Sequence, residues 1–265
     1  MEELPVLGIL QGAQALNVGR GEVLPVLADT AGDLVLVLVL PQLGDFDSME
    51  YAWWLKREGF NQDHGGLRVR AVGIGDRAAG LRFCEFTGFS PDCLFVDPEA
   101  VLHGQLQLYR GLAWRWPGLT GGQRAWLNLM LMCAGIGSPG TLAEVWRGYW
   151  GDRTAPQLIG DQEEIEAFPL PKLRGSFFGV LGGSGFQRPL ELATLRLQRM
   201  NEVLAHWGTY VPRADFLTQR GGSFLFDGDG NLLYSYRDRG ILGFAAQMSC
   251  PLNFLTEFVA NQATR

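Results

Sequence analysis

The fold turns on Leu34-Val-Leu-Val-Leu-Val-Leu40, followed by Pro41 and then by Gly44-Asp-Phe-Asp-Ser48. Seven apolar residues in a row leave no polar face, and a β-branched Val at every second place favours extended backbone. The stretch therefore predicts a central parallel strand, covered on both sides and ending at Pro41. Met49, Ala52 and Trp53 then recur at helical spacing up to Arg57, and Asp47 or Ser48 stands where its side chain would cap the helix's free N–H groups. The unit is strand, polar turn, helix.

Working outward, residues 67–74 predict a second strand and 76–86 a short helix ending near Gly88. Residues 93–96 predict a third strand, and Asp97-Pro98 opens another helix running through Tyr109. This β-α-β-α-β-α alternation predicts a parallel sheet with right-handed crossovers. From Trp114 to about Pro212 the texture changes to helices broken by Gly and Pro, over 123–133 and 141–150, with 169–181 as loop and no strand. The clearest helix is expected over 187–207. There Leu190, Ala193, Leu197, Met200, Leu204 and Trp207 form one apolar seam against a neighbour, leaving Arg188, Arg196 and Arg199 outside it. Strand texture returns after Gly221-Gly222 as a hairpin turning at Asp227-Gly-Asp-Gly230, and 251–261 is a closing helix.

The chain has 265 residues, 47% of them hydrophobic, with 22 Lys+Arg against 28 Asp+Glu. That length supports a sizeable core. The acidic balance argues against a nucleic-acid partner, which needs a concentrated positive field. No apolar run approaches the roughly 20 residues of a membrane span, so no membrane insertion is expected. The opening Met-Glu-Glu-Leu-Pro is acidic where a signal peptide is basic. Four cysteines (Cys84, Cys93, Cys133, Cys250) without a C-x-x-C pair suggest a reducing, cytoplasmic setting.

Two motifs imitate ligand sites. Gly73-Ile-Gly-Asp-Arg-Ala78 fits a dinucleotide fingerprint but follows the second strand, and Asp76 would repel a pyrophosphate, so a tight turn explains it better. Asp227-Gly-Asp-Gly-Asn231 with Asp238 imitates a calcium loop, but Leu232 replaces the required Gly and the flanks read as strands. His64, His103 and His206 have no helical-spacing partner for a metal. Neither a metal nor a cofactor is expected.

The strand–turn–helix of 34–57, the Phe83-Cys-Glu-Phe-Thr-Gly-Phe89 and Leu94-Phe-Val-Asp-Pro98 segments, and the late hairpin 221–238 together resemble the peroxiredoxin-like, AhpC/TSA branch of the thioredoxin-like superfamily. The resemblance covers residues 20–112 and 218–260, and the intervening helical part is similar to cyanobacterial and plastid-type members. It implies an α/β fold, a thioredoxin-like central sheet flanked by helices and interrupted by a helical insertion. The expected organisation is 1–112, an insertion over 113–212, and 213–265 completing the sheet.

In redox-active relatives a reactive Cys sits at the N-terminus of the helix after the first strand, where the helix dipole and free N–H groups stabilise a thiolate. The resemblance puts Asp45 and Ser48 on those positions, making Gly44, Asp45, Phe46, Asp47 and Ser48 a degenerate redox site. A carboxylate accepts the N–H groups but cannot attack a peroxide. The leading expectation is a catalytically silent adaptor, scaffold or assembly subunit in a photosynthetic organism, part of a larger complex or a homodimer. The alternative is a thiol oxidoreductase using Cys84 and/or Cys93. Because Trp and Arg dominate interface anchors, Trp114, Trp116, Trp146, Arg147 and Trp150 are the candidate protein-binding residues.

Overall fold

The computed structural model describes residues 6–262; the acidic opening, residues 1–5, lies outside them. Three elements that the sequence reading left unassigned come first: α1 (Val6–Gly12), β1 (Gln14–Asn17) and β2 (Val23–Pro25). The predicted unit follows as β3 (Leu34–Gln42) and α2 (Phe46–Arg57). All nine β3 residues are buried, and the strand runs through Pro41 rather than ending there. Next come β4 (Leu67–Ile74), α3 (Arg77–Thr87), β5 (Leu94–Val96) and α4 (Val101–Gln105). The helix expected through Tyr109 is thus only a short turn, with Gln107 in the left-handed region at φ 53°.

The sheet has seven strands in the order β2-β1-β5-β4-β3-β8-β9, where β8 is Gly222–Phe226 and β9 Leu232–Arg237. It is mixed, not wholly parallel. β3, β4 and β5 pair in parallel, but β8 joins β3 antiparallel and β9 joins β8. The expected hairpin accounts for the last pair. This is a thioredoxin-like α/β sheet with β4 in the middle and β3, which leads into α2, beside it. The closing helix is α10 (Asn253–Gln262).

Between α4 and β8 lie α5 (Gly121–Cys133), α6 (Thr141–Trp150), a two-residue ribbon β6–β7 (Glu164–Ile165 with Leu173–Arg174), α7 (Gly175–Gly182), α8 (Glu191–Ala205) and α9 (Trp207–Tyr210). The ribbon and α7 replace the loop expected over 169–181. Leu158, Ile159, Phe178, Leu192, Leu195 and Val203 share one core cluster with Leu36, Leu38 and Trp54. The insertion therefore packs onto one face of the sheet through α2.

The apolar seam of α8 is reversed. Arg196 and Arg199 are buried, as are Leu192 and Leu195, whereas Leu190, Met200 and Leu204 are exposed. Arg188, just before the helix, is also fully buried. Ion pairing decides this, because Glu50 and Glu191 are buried opposite these guanidinium groups and an unpaired buried carboxylate is costly.

Candidate functional site at the tip of α2

The turn 44–48 is built by close approach and capping. A Cβ on Gly44 would stand 2.7 Å from Tyr210 Cβ, so only glycine lets α9 close over the turn. The N-cap of α2 is Asp45, not Asp47 or Ser48: its Oδ1 accepts from Asp47 N at 3.0 Å. Asp47 and Ser48 are already helical and fully buried. The Ser48 hydroxyl donates to Gln42 O at 2.9 Å, turned back onto the end of β3.

Arg220, just ahead of β8, reaches this turn from the strand next to β3. It is fully buried and donates to Asp45 Oδ2 at 2.6 Å, Asp45 Oδ1 at 3.2 Å and Asp47 Oδ2 at 3.1 Å. A third acid, Asp238, closes the group, accepting from Gly221 N at 3.2 Å. Asp47 Oδ1 and Asp238 Oδ1 are buried without a hydrogen-bond partner among the described residues. One cation thus serves three carboxyls. Burial, reinforced by Asp45, pushes Asp47 well above the usual carboxylate range. Burial pushes Asp238 up to about 7, against the pull of Arg220. Arg220 is held in its charged form by Asp45 and Asp47 despite its own burial. Sequence reasoning singled out Asp45, Asp47 and Ser48 but missed Arg220, and named Asp238 only as part of the imitated calcium loop. The signal was there in Arg220 preceding a strand and Asp238 ending one, both beside glycine-rich turns.

None of the four cysteines stands in this turn. Cys84 is buried inside α3 and Cys93 is buried just before β5. Burial pushes the Cys84 thiol up to about 12, with Cys93 adding to it, and burial raises Cys93, Cys133 and Cys250 as well. The other candidates separate. Trp146 and Trp150 stack at 5.0 Å and are 52% and 73% exposed, and Trp114 and Trp116 form a second exposed pair. Arg147 does not join them. Its side chain is largely covered, pairing with Glu144 at 2.7 Å and with Gln187.

The two imitated motifs are structural. Asp76 caps α3 by accepting from Ala79 N, and a Cβ on Gly73 would meet Leu43 at 2.3 Å, so this glycine serves packing. Asp227 Oδ1 accepts from the backbone of Asp229 and Asn231, which closes the β8–β9 hairpin. His103 is buried against Leu40 O at 2.8 Å, and burial lowers it to about 4.

A thioredoxin-like sheet with a polar turn opening its central helix defines the class of protein. The particular family follows from a family model for AhpC/TSA antioxidant enzymes that matches residues 54–189, just over half of the chain; the protein belongs to that family. No curated protein matches it. The matched span begins after the α2 turn and ends before Arg220. The family is of peroxiredoxin-type, antioxidant character. No helix among the described residues is long and apolar enough to cross a membrane.

Proposed function

We propose that this family member has exchanged thiol chemistry for binding, as a catalytically silent adaptor, scaffold or assembly subunit of a photosynthetic organism. One observation carries the reading: the turn where the family's chemistry needs a thiolate is closed by Asp45 and Arg220, with Ser48 facing inward. A dipole-stabilised thiolate there would need free N–H groups, and Asp45 already occupies one of them. The alternative site at Cys84 and Cys93 has the wrong electrostatics, since burial disfavours the thiolate at both positions. The paired aromatics of the insertion supply anchors of the kind that protein interfaces use.

The test is dithiol-dependent consumption of hydrogen peroxide. The wild type should turn over no faster than a variant with all four cysteines changed to Ser. Measurable turnover abolished by Cys84→Ala or Cys93→Ala would establish the oxidoreductase instead. For the binding half, crosslinking in native lysate should recover a reproducible partner, or a second copy, that is lost in a Trp146→Ala/Trp150→Ala variant of unchanged melting temperature. Recovery of the protein only as a free monomer counts against it.

A further inference from the structure

The reversed seam of α8 leaves Leu190, Met200 and Leu204 exposed, and that face borders a cavity. A chamber of about 510 Å³ lies between α6, α8 and the tip of α2, lined by Val145, Leu170, Ala193, Leu197 and Met200 among others. A second chamber of about 160 Å³ runs inward along α5 and α8, past Met49, Met130 and Trp207. Phe46, Cys133, Met200 and Ile241 belong to both walls, so the chambers adjoin. Their combined size falls in the range of small-molecule sites. Methionine, with its three rotatable bonds, suits a flexible occupant.

Charge says what kind of occupant. Arg199 lines the inner chamber and is 3% exposed. Its nearest carboxylate, Glu50, lies 3.4 Å away, but Arg196 already takes both Glu50 oxygens, at 2.7 and 3.1 Å. Neither terminal nitrogen of Arg199 has a hydrogen-bond partner among the described residues. Arg147, Arg196 and Arg199 face Glu50 and Glu144, with Asp152 in reach of Arg147 alone at 3.9 Å. Of the three arginines, Arg199 is the one whose terminal nitrogens make no hydrogen bond among the described residues. A buried guanidinium without an acceptor is an expensive arrangement that a carboxylate relieves, in bidentate geometry.

We propose that this groove binds a free long-chain carboxylate, its hydrocarbon tail along Ala193, Leu197 and Met200 and its headgroup at Arg199. The site goes beyond the adaptor reading and does not depend on it. The terminal nitrogens of Arg199 are shielded from solvent, so a headgroup reaches them only from within the chamber, past the Met49, Met130 and Met200 side chains that line it. The tail supplies apolar burial, and the headgroup supplies selectivity.

Palmitate and hexadecanol, of equal chain length, are the probes, titrated below their aggregation limits and followed by calorimetry and by the fluorescence of Trp126 and Trp207, both of which line the inner chamber. Palmitate should bind the wild type saturably, one molecule per chain, at least tenfold tighter than hexadecanol, and should protect Cys133 from a thiol reagent. Arg199→Met should abolish that preference, and Ala193→Trp should weaken both ligands by filling the outer chamber. Absence of saturable palmitate binding to the wild type, or equal affinity for the acid and the alcohol, overturns the proposal without recourse to any variant.

Discussion

Asp47 and Glu50 stand three residues apart on α2, both fully buried, yet their carboxyls are driven in opposite directions. Burial raises both. At Asp47 it wins, because Arg220 is shared with Asp45 and Asp238; at Glu50 it loses, because Arg196, Arg199 and Arg147 all act on it and hold it below its ordinary value. One helical turn thus separates an acid-rich cluster from a cation-rich one. The difference teaches that burial alone does not set the state of an ionisable group; the local ratio of partners does. Arg220→Leu should break the acid-rich cluster most severely. It strands two carboxyls against the N-terminal turn and should cost about 4 kcal/mol in urea unfolding at pH 7, the scale of breaking a buried ion pair. A loss below about 1 kcal/mol would show that Arg220 is not what holds the turn.

Glu50→Gln tests the other cluster. The amide keeps the shape and one acceptor for Arg196 but leaves Arg199 without a counter-charge and Arg196 with Glu144 alone, for an expected loss of about 3 kcal/mol. Since the Glu50 pKa is depressed in the folded protein, its contribution is present above the ordinary carboxylate range and fades as pH falls below it. The difference between wild type and Glu50→Gln should therefore shrink in acid.

Asp238 has the opposite sign. Its folded-state value near 7 lies above the unfolded one, so its contribution is complete below about pH 4 and is lost as pH rises to about 7. Asp238→Asn keeps an acceptor for Gly221 N and removes that loss. It should stabilise the protein by about 2 kcal/mol at pH 8, with no gain at pH 4. His103, lowered to about 4, gives the wild type a compensating acid-side loss between about pH 6.5 and 4, so the comparison with the variant, not the raw pH profile, is the measurement. A gain independent of pH would mean that Asp238 is ionised throughout.

What the sequence made legible follows the same division. β4 falls on 67–74 as expected, and α3 has its cap at Asp76 and its stop at Gly88, because those signals are local: apolar runs, a capping acid, a left-handed glycine at φ 74°. The hairpin at Asp227 was readable for the same reason. The mixed sheet was not, since β8 returns to β3 from more than 180 residues away and nothing local announces antiparallel pairing. Periodicity misled most at α8, where it ranked arginines as surface. It has no term for a buried acid on another element, and Glu50 lies 146 residues from Arg196. Likewise the turn at 44–48 was visible as a polar strand-to-helix junction, whereas its lock, Arg220, is 175 residues distant from Asp45.

The smallest expected effect separates the two arginines that the sequence would treat alike. Arg199→Met should lie within about 1 kcal/mol of wild type, against the loss of about 4 for Arg220→Leu. Methionine fills the volume of the arginine stem, and Glu50 keeps both hydrogen bonds from Arg196. The variant also removes two buried donors that have no acceptor, relieving a penalty of about 1–3 kcal/mol that offsets the lost attraction to Glu50. Arg220 has no such surplus, since each of its charged nitrogens already holds a carboxylate. Should Arg199→Met cost as much as Arg220→Leu, Arg199 would be a required counter-ion of Glu50, and the contrast between the two ends of α2 would fail at its cation-rich end.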